Sequence, residues 1–84
     1  MKIINDYNKV KDNIPQLGEK FTIEKGKRKA TYKIINSVNF DGAYDLIRCE
    51  NMGISMGNTY IWREKHLTGS SSIEGCVKQA YDHT

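Results

Sequence analysis

Apolar and polar residues alternate most clearly between Ala30 and Phe40. Ala30, Tyr32, Ile34, Asn36, Val38 and Phe40 share one register, while Thr31, Lys33, Ile35, Ser37 and Asn39 share the other. One register is apolar apart from Asn36 and the other polar apart from Ile35, which predicts a half-buried strand with one face on a core. Asn36, the polar residue on the inward register, is the position where a buried hydrogen bond is expected. A strand this long is expected at the centre of its sheet.

The same period of two appears in Lys20 to Glu24, where Phe21 and Ile23 point one way. Lys25-Gly26-Lys27-Arg28 then reads as a hairpin turn, with Gly26 free to take a positive φ. Asn39-Phe40-Asp41-Gly42 is a second turn signal. Ala43 to Glu50 predicts a third strand whose two faces are both mixed, as expected when both are partly covered. Asn51 to Asn58, with two glycines and two methionines, reads as a loop. Thr59 to Lys65 predicts a fourth strand with Tyr60 and Trp62 on one face, and Leu67 to Ser72 reads as a connector.

Two stretches carry helical spacing instead. Ile3, Tyr7, Val10 and Ile14 recur at four, three and four, which predicts an N-terminal helix over Met1 to Ile14, capped by Asn5 or Asp6 and stopped by Pro15. Ile73, Cys76, Val77, Ala80 and Tyr81 form the stripe of a C-terminal helix. Ser71 and Glu74 fit its capping box, Gly75 weakens it by about 1 kcal/mol relative to alanine, and His83 suits its C-terminal end.

The expected fold is therefore α+β, a single domain over 1–84. It is a four-stranded antiparallel meander flanked by an N-terminal and a C-terminal helix. Short strands joined by tight turns also suit a small SH3-like, partly open barrel.

Composition adds a charge asymmetry. The chain has 84 residues and a net charge of +3. Between Lys20 and Lys33 stand six basic residues (Lys20, Lys25, Lys27, Arg28, Lys29, Lys33) and one acid, Glu24, so a basic hairpin sits on a slightly acidic body. No stretch approaches the ~18 apolar residues of a membrane span, and the start lacks the apolar core of a secretory signal. The expected compartment is cytoplasmic, with Cys49 and Cys76 as free thiols. The abundance of Ile, Lys, Asn and Tyr matches AT-rich codons, as in a low-GC bacterium or its phages.

The chemistry that stands out is that of contact. Lys25, Lys27, Arg28 and Lys29 cluster at a turn, where they reach phosphates of nucleic acid or simply keep the turn solvated. Met52, Ile54 and Met56 offer an adaptable apolar loop, and Tyr60, Trp62 and Arg63 are residue types enriched at binding hot spots. For Trp62, core packing explains the residue equally well. Gly69, Ser70, Ser71 and Ser72 at a helix start suit a phosphate or other anion, such as a nucleotide, or plain capping.

Cys49, Cys76, His66 and His83 have no zinc-ligand spacing. Asp41, Asp45 and Glu50 form no recognisable acid–base set. No catalytic residues, no metal and no cofactor are expected. The sequence predicts a non-catalytic binding protein with a protein partner, in the role of a phage- or mobile-element-encoded inhibitor of a host nucleic-acid enzyme or defence system. A nucleic-acid module built on the basic hairpin is the alternative, and an exposed sheet edge leaves room for a homodimer.

Overall fold

The structure, a computed structural model, describes residues 2–54, 57 and 60–84, without the side chains of Ile54 and Tyr60. Five strands form one mixed sheet in the order β1-β2-β3-β4-β5. They are β1 (Lys2–Ile4), β2 (Phe21–Lys25), β3 (Arg28–Asn36), β4 (Tyr44–Ile54) and β5 (Tyr60–Ser70), and a single α-helix, α1 (Ile73–His83), follows. No pairing joins β1 to β5 among the described residues, so the sheet is open rather than a closed barrel. No helix among them is long and apolar enough to cross a membrane.

The expected N-terminal helix is not formed, and with it the four-stranded, two-helix meander gives way to a five-stranded sheet. Lys2–Ile4 pairs in parallel with Phe21–Ile23. Ile4 is buried, while Ile3 and Tyr7 of the expected stripe are exposed. Asp and Asn explain the failure, because their short polar side chains compete for backbone hydrogen bonds. Asp6 Oδ1 accepts the Asn8 N–H (3.0 Å), and Asn13 Nδ2 donates to the Lys9 carbonyl (2.8 Å), so the segment breaks into two short 3-10 turns, Tyr7–Lys9 and Lys11–Asn13. These turns belong to the long crossover that a parallel pair requires. Lys2 Nζ donates to the Ile14 carbonyl at its far side (2.8 Å), and Pro15 is fully buried.

The central strand begins as expected but stops at Asn36, four residues early. Ser37 Oγ accepts the N–H groups of Asn39 and Phe40 (both 3.3 Å), and the Ser37 N–H donates to the Ala43 carbonyl (3.0 Å), which closes a turn where a strand was expected. Val38 (88% exposed) and Phe40 (71%) therefore lie outside the core, and Asn36 is exposed as well. Two strands run longer than expected. β4 continues through Asn51 and Met52 to Ile54, and β5 takes in Thr68, Gly69 and Ser70. A register shift between Leu46 and Ile47 accommodates the extra length of β5.

The core lies between α1 and one face of the sheet. Ile4, Phe21, Ile23, Tyr32, Ile34 and Leu46 meet Cys76, Val77 and Ala80, with Val10 of the crossover closing one side. Each of the Val, Leu, Ile and Phe side chains among them contributes about 1.5–3 kcal/mol by leaving water. Ser72, not Ser71, caps α1, and its Oγ accepts the Gly75 N–H (3.0 Å). Gly75 has a packing reason, since a methyl group there would collide with Ser70 Oγ. At the other end, Lys25 Nζ donates to the Tyr81 carbonyl (3.3 Å) and lies 4.9 Å from the Tyr81 ring centre.

The opposite face has its own thin cover. Thr22, Ile47 and Cys49 are buried there. Lys33 bridges over β4 to Glu64 (2.6 Å), and Lys20 Nζ lies 4.7 Å from the Trp62 ring centre. In a flat sheet Lys20 and Trp62 would stand roughly three strand spacings, about 14 Å, apart. The sheet therefore curls, and the lysine stems cover Ile47 and Cys49. Trp62 is half-buried in this cover rather than in the main core.

Candidate functional site: a fork between two hairpins

The β3–β4 ladder runs from Asn36↔Tyr44 to Thr31↔Cys49 and stops. Both strands continue beyond it. Residues Arg28 to Ala30 stay with β2, opposite Lys25, Glu24 and Ile23. Glu50 and Asn51 stay with β5, opposite Arg63 and Trp62. The sheet thus splits into two hairpins that diverge from the Thr31–Cys49 rung. We call this opening the fork.

The turn chemistry shows what faces into it. A two-residue turn makes its flanking residues, here Lys25 and Arg28, a hydrogen-bonded pair. Alternate residues of β3, Lys29 and Thr31, then turn their N–H and C=O toward β4. Thr31 finds Cys49 there. Lys29 has Asn51 as its next counterpart, and no rung joins them. Gly26 takes φ 64°, as the turn demands.

Two hollows open at the fork. One, about 300 Å³, is lined by Lys29, Thr31, Cys49, Glu50, Asn51 and Trp62 among others. The second, about 240 Å³, is lined by Arg28, Lys29, Ala30, Arg48, His83 and Thr84. Lys29, Ala30 and Arg48 belong to both. Three permanent cations, Arg28, Lys29 and Arg48, and one side-chain carboxylate, Glu50, line the two hollows, with Glu24 beside Lys29. Lys29 pairs loosely with Glu24 (3.6 Å) and Arg48 with Glu50 (3.4 Å), whereas Arg28 has no carboxylate partner among the described residues. Such exposed pairs exchange readily for others, being worth about 0–1 kcal/mol.

The residues singled out from sequence divide accordingly. Arg28 and Lys29 line the fork, and Lys27 is exposed at the turn. Lys25 is turned back onto the helix end. Met52 and Arg63 are exposed on the second hairpin. Ile54 and Tyr60 pair with each other in its strands, and Met56 lies outside the described residues. Met52 and Gly53 face Ile61 alone across an irregular stretch of the ladder, a bulge in which Asn51 Oδ1 accepts the Gly53 N–H (2.9 Å). Sequence reasoning missed Arg48, Asn51 and His83 as fork residues. Arg48 could have been suspected, since it follows Tyr44 and Leu46 on the register that meets the core.

Gly69, Ser70, Ser71 and Ser72 lie at the opposite end of the sheet. Ser70 Oγ accepts the Ser72 N–H (3.4 Å) and Ser72 Oγ accepts that of Gly75, so part of the helix start is already satisfied. The Asp45 carboxylate also stands beside Gly69, which disfavours a second anion. Asp45 is buried, and its Oδ2 lies 3.4 Å from His66 Nε2. The two line a cleft of about 320 Å³ with Ser37, Phe40, Tyr44 and Ser70. Sequence spacing did not connect this pair, because a sheet rung and a bulge bring it together.

The thiols are buried. Burial pushes the Cys49 thiol above its ordinary value, with the Glu64 carboxylate adding to the effect. Burial does the same for Cys76, helped by Asp45. Neither is an activated nucleophile. Among the described residues no group of three His, Cys, Asp or Glu side chains is placed to hold a metal ion. Comparison with protein-family models, with curated proteins and with solved structures gives no match for this chain.

Proposed function

We propose that this chain is a non-catalytic binding protein that holds a partner protein across the fork and the β4–β5 hairpin. One observation carries the reading. Beyond Cys49 the β4–β5 hairpin has no ladder with β3, yet it exposes Met52 (57%) and Ile61 (50%) on opposite strands of its bulge. Apolar side chains left exposed in this way contribute little to folding. They match the apolar centre of a protein contact, with Arg63 and Glu50 as its polar rim. An inhibitor of a host nucleic-acid enzyme or defence protein is the finer role we assign, supported by the AT-rich composition and the small size alone.

Affinity capture from a bacterial lysate, with and without nuclease, tests the reading. A protein retained after nuclease treatment, and lost with the double variant Met52→Ser and Ile61→Ser, is the expected result. A catch that disappears with nuclease would favour the second reading, direct nucleic-acid binding. That reading is supported by Lys27 and Arg28, which are exposed and without carboxylate partners among the described residues. It requires affinity for DNA or RNA that falls steeply with salt.

A further inference from the structure

We infer that the fork receives an extended, acidic peptide segment of the partner. This rests on the protein-contact reading above and specifies what that partner presents. Two independent features of the fork converge on it.

The first is main-chain chemistry. Lys29 directs one N–H and one C=O into the opening, and its counterpart Asn51 is not paired with it. A strand residue with no rung on one side can take up an extended peptide, which carries a complementary donor and acceptor at every second residue. Nucleic acid lacks that pattern. The hollows, about 300 and 240 Å³, flank the same residue on either side. Alternate side chains of a bound strand would point into one hollow and then the other.

The second is charge. Arg28, Lys29 and Arg48 stand around the opening, Lys29 beside Glu24 and Arg48 beside Glu50. Arg28 is without a carboxylate partner among the described residues. The guanidinium groups of Arg28 and Arg48 suit carboxylates, which they can grip through two parallel N–H···O bonds. Arg48 already holds a glutamate, Glu50, two residues along the same strand (3.4 Å), and an incoming carboxylate would compete for that contact.

The probes are three fluorescent ligands, tested by anisotropy at low salt on the full chain. They are a short peptide alternating glutamate and valine, its lysine–valine counterpart, and an oligothymidylate of equal negative charge. The acidic peptide should bind at least roughly tenfold tighter than either other ligand. Replacing its alternate backbone N–H groups by N-methyl should cost at least another tenfold, a test that leaves the protein untouched. The double variant Arg28→Glu and Lys29→Glu should reverse the preference toward the lysine peptide. Tighter binding of the oligothymidylate would overturn the inference and make the fork a phosphate site. Equal binding of both peptides, indifference to N-methylation, or no peptide binding at all would also overturn it. If the partner is captured by the Met52 and Ile61 surface while the acidic peptide fails, the fork assignment is wrong and the protein-contact reading stands.

Discussion

The two hairpins of this sheet have similar outlines and opposite dependencies. The β2–β3 hairpin is tied to the body along most of its length, its turn apart. Phe21, Ile23, Tyr32 and Ile34 are fully buried beneath α1, and Lys25 reaches the last turn of that helix. The β4–β5 hairpin is tied only at its root, through Leu46, Ile47 and Cys49. Past the root, the contact that ties its described residues to the rest of the chain is Lys20 over Trp62. The charge of the first hairpin therefore has a structural share. A cation at the carbonyl end of a helix is favourable, and Lys25 serves that end. The apolar residues of the second have no such account, and this contrast singles out the arm as the part folding does not explain.

The contrast can be broken most forcefully at the core. Ile23→Ala should cost about 2–5 kcal/mol in urea unfolding, because the cavity would lie between sheet and helix. Ile61→Ala, the same class of change on the free arm, should cost less than about 0.5 kcal/mol. Similar losses at both sites would mean the arm is part of the core.

Next in size is the helix end. Lys25→Ala removes a hydrogen bond to the Tyr81 carbonyl and a cation over its ring, and should lower stability by about 1 kcal/mol. Lys27→Ala, two residues away at the exposed turn, should leave the unfolding midpoint unchanged. An equal effect of the two would contradict the division of labour within the basic cluster.

A gentler effect concerns pH. Both thiols ionise at higher pH in the folded chain than in the unfolded one, where the ordinary value of 9.0 applies. The unfolded chain therefore loses these protons first. The thiols' contribution is full below about pH 8 and falls as pH rises through 9 and above. Melting temperatures from pH 7 to 10 should decline more steeply in the native chain than in the double variant Cys49→Ala and Cys76→Ala. Iodoacetamide should also label Cys49, at the root of the arm, sooner than Cys76 beneath the helix. The reverse order would place the looser structure at the helix rather than at the root of the arm.

Local pattern made much of this visible in the sequence. Phe21 and Ile23, the Lys25–Arg28 turn, the inward register of Ala30, Tyr32 and Ile34, and the stripe of α1 all follow from spacing between near neighbours. What pattern could not supply was pairing between distant segments. Lys2–Ile4 becomes a strand because Phe21–Ile23 offers a parallel edge 19 residues later. Its spacing with Tyr7 and Val10 imitates a helix that Asp6, Asn8 and Asn13 then undo. Val38 and Phe40 continue the alternation of β3 on paper, but Ser37 captures the next two amides but one and ends the strand. The fork was hidden for the same reason, since where a ladder stops is a property of two strands. Basic hairpin and apolar loop each stood out in the sequence, yet nothing in their separate patterns shows that they flank one opening.

The central claim is that the arm's apolar surface exists for a partner and not for the fold. The direct test is the double variant Met52→Ser and Ile61→Ser, measured in parallel for stability and for capture of a nuclease-resistant protein partner. The account predicts unfolding within about 0.5 kcal/mol of the native chain and loss of the captured protein. A variant that unfolds, or one that retains its partner undiminished, would contradict it.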